Sequence, residues 1–92
     1  MDLTLGEQIR KRKELLGAIK DELVQRLQLE VRPEDIDDDT FLFGSGLQLD
    51  SIDSMEIILA MEGRFGVKVP EGDFGALRTI NTLADLVQSQ SK

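Results

Sequence analysis

Asp50-Ser51-Ile52-Asp53-Ser54-Met55-Glu56-Ile57-Ile58-Leu59-Ala60-Met61-Glu62-Gly63-Arg64-Phe65 is the stretch that decides how this chain folds. Advancing about 100° per residue gathers Ser54, Ile57, Ile58, Met61 and Phe65 into one arc, the natural core face of an amphipathic helix. Asp50 or Ser51 is suited to accept the first free N–H groups, and Gly66 is placed to end the helix. A second arc starts at Ser51 and interleaves Ile52, Met55 and Leu59 with Glu56 and Glu62. Two readings stay open for it. Either the loop or the first helix covers the apolar residues, or they face solvent as a contact surface, with apolar groups supplying affinity and acids supplying steering.

Upstream, Thr4 stands three residues before Glu7 in capping-box spacing, and Leu5, Ile9, Leu16, Ile19, Leu23 and Leu27 recur at helical intervals. They predict one long amphipathic helix that ends before Pro33. Residues 32–50 hold Pro33, Gly44, Ser45, Gly46 and a cluster of acids, so they read as a long ordered loop that crosses the bundle, anchored by Phe41, Leu42, Phe43 and Leu47. Downstream, a short helical turn is expected after Pro70, then a last helix from about Thr79 to Gln88 with Ile80, Leu83, Ala84 and Val87 facing inward. Apart from Val67-Lys68-Val69, no segment alternates at period two, and no repeat is visible. The expected fold is all-α, three main helices plus one short one, in a single domain over residues 1–92.

Composition narrows the chemistry. A chain of 92 residues buries about 60% of the surface its unfolded form exposes, and leaves no room for a deep catalytic cleft. There is no cysteine and no histidine, so disulfides, thiolate ligands and the commonest general base are all missing. Any reactive group must be borrowed. The formal charge is −7 and the apolar fraction 40%, a globular acidic chain for which nucleic acid is an unsuitable partner. With no apolar run of membrane-spanning length and no signal-like N-terminus, a cytoplasmic protein without a membrane partner is expected.

Charge is unevenly spread. Residues 4–29 hold six basic and four acidic side chains, whereas residues 30–73 hold three basic and twelve acidic. The acidity therefore surrounds the serine helix and its loop, where it either solubilises or attracts partners that present Lys and Arg. Arg10-Lys11-Arg12-Lys13 reads as the solvated face of the first helix. Asp35, Asp37 and Asp39 alternate as in a calcium loop, but the sixth position is Thr40 and the twelfth Gly46, so no metal site is expected. Ser51 has no histidine to activate it as a hydrolase nucleophile, and no catalytic residue is assigned. It either caps the helix or carries a phosphodiester, whose charge the N-terminal end of a helix favours.

Leu49-Asp50-Ser51-Ile52-Asp53-Ser54-Met55-Glu56 resembles the Asp-Ser-Leu signature of acyl carrier proteins. The resemblance extends over nearly the whole chain: the long first helix, Phe41 and Leu47 in the loop, Phe65, Val67-Lys68-Val69-Pro70, and Thr79-Ile80 opening the last helix. It implies a four-helix acyl-carrier-type bundle with a long loop between its first two helices. It also implies that Ser51 bears 4′-phosphopantetheine, transferred from coenzyme A by a phosphopantetheinyl transferase, whose terminal thiol holds acyl groups as thioesters. Asp50, Asp53, Glu56 and Glu62 would then face basic patches on the transferase and on acyl-loading and acyl-processing enzymes, while Ile52, Met55 and Leu59 give apolar contact. Such a carrier acts as a monomer and catalyses nothing itself. It serves fatty acid, polyketide or related specialised lipid synthesis. The interior lined by Ile57, Met61, Phe65, Phe74, Leu77, Ile80 and Leu83 either opens to hold an acyl chain or is a filled core.

The chain departs from the housekeeping pattern in three places. Gly63 and Arg64 stand where further acids are usual, Phe43-Gly44-Ser45-Gly46 lengthens the loop, and Gln48-Leu49 replaces small residues before the Asp-Ser pair. These point to a specialised carrier. The competing class is a small helical protein-interaction adaptor without a prosthetic group, which accounts for the fold and the stripe but not for an acid-flanked serine at a helix start.

Overall fold

The computed structural model describes residues 4–43, 46–47, 49–70 and 75–90, and the Ser51 side chain lies outside that description. Helix α1 spans Leu5–Leu27. Thr4 starts it by accepting the Glu7 N–H on Oγ1 at 3.2 Å, the capping arrangement its spacing predicts. Gln28, in the left-handed region at φ 53°, ends it by donating its N–H to the Val24 carbonyl. Leu16, Ile19 and Leu23 are buried, as their spacing requires. Leu5 and Ile9 are not: they share the stripe but stay 72% and 60% exposed. The reason is length. At 23 residues α1 runs roughly 35 Å, so it outreaches the shorter helices packed on it.

The loop after α1 holds a 3-10 turn at Pro33–Asp35 and is tied down by backbone rather than by side chains alone. The Leu42 N–H donates to the Arg78 carbonyl at 2.8 Å, the Asn81 N–H to the Asp38 carbonyl at 2.9 Å, and Phe41 pairs antiparallel with Thr79. Leu42 is fully buried, with Phe43 and Leu47 packed against the core. Phe41 corrects the expectation that its ring anchors the loop: the side chain is 48% exposed, and the anchor is its peptide unit. The Leu47 N–H reaches the Phe41 carbonyl at 2.8 Å. Gly46 is obligatory beside it, because a Cβ there would lie 2.7 Å from the Phe41 carbonyl carbon. Three acids of the loop are paired, one of them locally. Lys20 Nζ lies 2.6 Å from Asp38, Asn81 donates to Asp39 at 2.6 Å, and Arg32 pairs with Asp35 at 2.9 Å. Asp35, with Glu34 nearby, raises the Arg32 guanidinium pKa above its ordinary value.

Helix α2 is Ser51–Phe65, ended by Gly66 at φ 66°. Helix α3 is Ile80–Gln90. Thr79 precedes α3 and forms a reciprocal cap with Thr82: the Thr82 N–H donates to Thr79 Oγ1 at 3.1 Å, and the Thr79 N–H to Thr82 Oγ1 at 2.9 Å. Ile80, Leu83, Ala84 and Val87 are buried on its inner face. The described residues thus hold three α-helices; the short helix expected after Pro70 falls partly on residues 71–74, outside the description, and residues 75–77 form a turn.

Helix α1 packs against α2, α3 and the 3-10 turn. Ile57, Met61, Leu77, Ile80 and Leu83, the expected lining of an acyl cavity, are all essentially inaccessible and join Ile19, Leu23 and Leu42 in one core. Phe65 is partly buried against it, and Phe74 lies outside the described residues. Arg12 overturns the reading of residues 10–13 as a uniformly solvated face. Its guanidinium donates to Gln88 Oε1 at 2.6 Å and Asn81 Oδ1 at 2.9 Å and lies 2.9 Å from Asp85, clamping α1 to α3.

Candidate functional site at the start of helix α2

Asp50 is the residue that starts α2. Its backbone is extended, and its Oδ1 accepts the N–H of Ile52 at 3.0 Å and of Asp53 at 3.1 Å. Asp53 returns the bond: its Oδ2 accepts the Asp50 N–H at 3.0 Å. Two carboxylates three residues apart thus satisfy three backbone donors that a helix start otherwise leaves to water. Ser51 is thereby fixed at the first helical position, the positive end of a helix of 15 residues.

This geometry decides how two donors are used. The N–H groups at Ile52 and Asp53, which the sequence offers either to a cap or to a phosphodiester, are taken by Asp50. Asp50 and Ile52, on either side of Ser51, are exposed. Among the described residues, no three His, Cys, Asp or Glu side chains converge as a metal-ligand set.

The second arc of α2 faces solvent. Ile52, Met55 and Leu59 are 76%, 60% and 49% exposed, while Ile57, Ala60 and Met61 on the opposite side are buried. Neither the described loop nor α1 covers the stripe. Asp50 and Glu62 are exposed beside it, and Asp53 and Glu56 half-buried. Every candidate residue named from the sequence, Asp50, Ser51, Ile52, Asp53, Met55, Glu56, Leu59 and Glu62, therefore lies on this one helix or at its cap. Acids concentrated around exposed apolar groups are suited to bring in a surface that presents Lys or Arg and release it readily.

Sequence reasoning missed two things. Asp53 doubles as a cap partner, which the three-residue spacing from Asp50 signals. Arg26 of α1 lies 3.7 Å from Glu56, and nothing local in the sequence brings those residues together.

Residues 14–87 match the family described as phosphopantetheine attachment site. The chain is 35% identical over 63 residues to an acyl carrier protein of Thermosynechococcus vestitus, a match covering 68% of this chain and 76% of that protein. It is 31% identical over 74 residues to an acyl carrier protein of Bdellovibrio bacteriovorus, covering 80% and 91%. Against acyl carrier protein 2, mitochondrial, of Arabidopsis thaliana it is 34% identical over 47 residues, and that match spans only 37% of the plant protein. Family membership accounts for what composition alone leaves open, since a chain without cysteine or histidine obtains its reactive group by covalent attachment. The chain belongs to the acyl carrier protein family, whose members bear covalently attached 4′-phosphopantetheine and act as carriers rather than as catalysts.

Proposed function

We propose that Ser51 Oγ is the attachment point of the 4′-phosphopantetheine and that the exposed face of α2 docks the enzymes that load and process acyl groups. The observation that carries the reading is the juxtaposition on one helix: a serine at the first turn, beside an apolar stripe left in solvent and ringed by acids. When bound, the arm supplies a terminal thiol on which an acyl group is held as a thioester. The chain's own residues do the rest. Asp50 and Asp53 hold the helix start formed, so that Ser51 is presented on a rigid element. Because both carboxylates accept backbone N–H bonds and no histidine exists, the base that takes the Ser51 proton comes from the transferase.

Ile52, Met55 and Leu59 give the partner apolar contact, and Glu56 and Glu62 steer it. Tethering then raises the effective concentration of the acyl group at whichever enzyme has docked. The partners are a phosphopantetheinyl transferase and acyl-loading and acyl-processing enzymes with basic patches. The carrier works as a monomer, because the acidic face of one copy repels that of another. Gly63, Arg64 and the loop around Gly46 favour a specialised lipid or polyketide pathway over the housekeeping one.

The test is intact-protein mass before and after incubation with coenzyme A and a broad-specificity phosphopantetheinyl transferase, with Ser51→Ala as control. One added phosphopantetheine on the wild type and none on the variant is the expected result. Addition to Ser51→Ala moves the attachment elsewhere.

A further inference from the structure

The acids along α2 do not form one uniform stripe, because the fold supplies its own counter-ions. Arg26, in the last turn of α1, lies 3.2 Å from Glu22 and 3.7 Å from Glu56. Arg64, in the last turn of α2, lies 3.2 Å from the same Glu22 and 3.8 Å from Asp21. Its guanidinium also sits 5.9 Å from the centre of the Phe65 ring. Glu56, Arg26, Glu22, Arg64 and Asp21 therefore alternate in sign across the seam between α1 and α2. Three carboxylates with two guanidinium groups leave one net negative charge where the acids alone would leave three. The exposed Glu62, one turn before Gly66, makes no side-chain ion pair or hydrogen bond among the described residues.

Ion pairs at such a partly exposed seam contribute little to folding. Their larger effect is on the field outside, since charges a few ångströms apart cancel within a Debye length of about 10 Å. A basic partner approaching α2 thus meets Asp50 and Asp53 without a side-chain counter-ion among the described residues at one end, and toward the other meets carboxylates partly neutralised by two guanidinium groups.

We infer that Arg26 and Arg64 are specificity-determining residues that confine purely basic partners to the first half of α2. This rests on the docking role proposed for α2. The pattern weakens the attraction of a partner whose basic patch runs the whole length of the helix, because part of that patch faces neutralised carboxylates.

The experiment compares wild type, the Arg26→Gln/Arg64→Gln pair, the Arg26→Lys/Arg64→Lys pair, Arg64→Gln and Arg64→Glu in two assays at low and high salt. One assay is the rate of loading by the broad-specificity transferase, and the other the affinity for a hexalysine peptide. In both, the Gln pair is expected to gain about threefold or more at low salt. Arg64→Glu should gain at least as much as Arg64→Gln alone, the Lys pair should stay within about twofold of wild type, and the gains should vanish at high salt. No gain in the Gln pair, a gain that survives high salt, or an equal gain in the Lys pair overturns the inference. If the Gln pair does not fold by circular dichroism, Arg64→Gln alone is read against the same criteria. A wild type that binds hexalysine with this pattern but takes up no phosphopantetheine refutes the attachment reading and leaves the charge assignment standing.

Discussion

Among the described residues, two helices each leave a group of apolar side chains in solvent, and the two groups are exposed for different reasons. Leu5 and Ile9 continue the stripe of Leu16, Ile19 and Leu23 and are left bare because α1 is longer than its neighbours. Ile52, Met55 and Leu59 lie across α2 from Ile57, Ala60 and Met61, so no lengthening of the other helices would bury them. The first group is core pattern that ran out of core. The second is a pattern of its own, and its neighbours are acids, whereas Leu5 and Ile9 are followed by Arg10, Lys11 and Lys13. Exposure of apolar area alone does not mark a site; its relation to the buried face does.

Substitutions along the two stripes test that distinction. Leu23→Ala, inside the buried part of the α1 stripe, should cost about 2–5 kcal/mol in urea unfolding; a smaller loss would mean that the α1 stripe is not the spine of the core. Met55→Glu, on the α2 stripe, should slow loading about tenfold, equivalent to about 1.4 kcal/mol, while the unfolding midpoint stays near that of wild type. A matching drop in stability would make Met55 structural after all.

Asp50 sits where the two roles meet. Asp50→Ala should lose about 1 kcal/mol of stability with the cap, and Asp50→Asn, which keeps an acceptor, should retain most of it. Any loading defect that remains in the Asn variant then belongs to charge. The smallest effect is expected at Ile9→Gln, within about 0.5 kcal/mol in stability and without change in loading rate. A clear loss there would show that the overhang of α1 is covered in solution.

The serine helix was legible from sequence down to its ends, because Asp50 and Gly66 bracket an apolar arc at the helical period. The exposure of Ile52, Met55 and Leu59 was not, since a wheel shows which residues share a face but not what lies against it. The same limit explains Arg12. Its place on the α1 stripe, between Ile9 and Leu16, is consistent with an inward direction, yet its partners Asn81, Asp85 and Gln88 are on the last helix and no local rule connects them. Phe41 failed for another reason. An aromatic residue in a loop reads as a side-chain anchor, whereas here the Phe41 carbonyl and the N–H of the next residue hold the loop and its ring is left outside. Periodicity reports side chains, and it is silent on where the backbone of an irregular segment finds its hydrogen bonds.

Those backbone ties also set an order of events in folding. Leu42 to Arg78 and Asp38 to Asn81 join segments separated by the whole of α2, so each closes a large loop of chain at an entropic cost that rises with its length. Contacts of that kind, like the still longer-range ones between α1 and α3, are expected after the helices themselves have formed, and residues that act late govern the rate of opening more than the rate of closing. The crossing segment is thus a latch: weakening it at Leu42 should shorten the lifetime of the folded carrier while leaving the speed with which it folds nearly untouched.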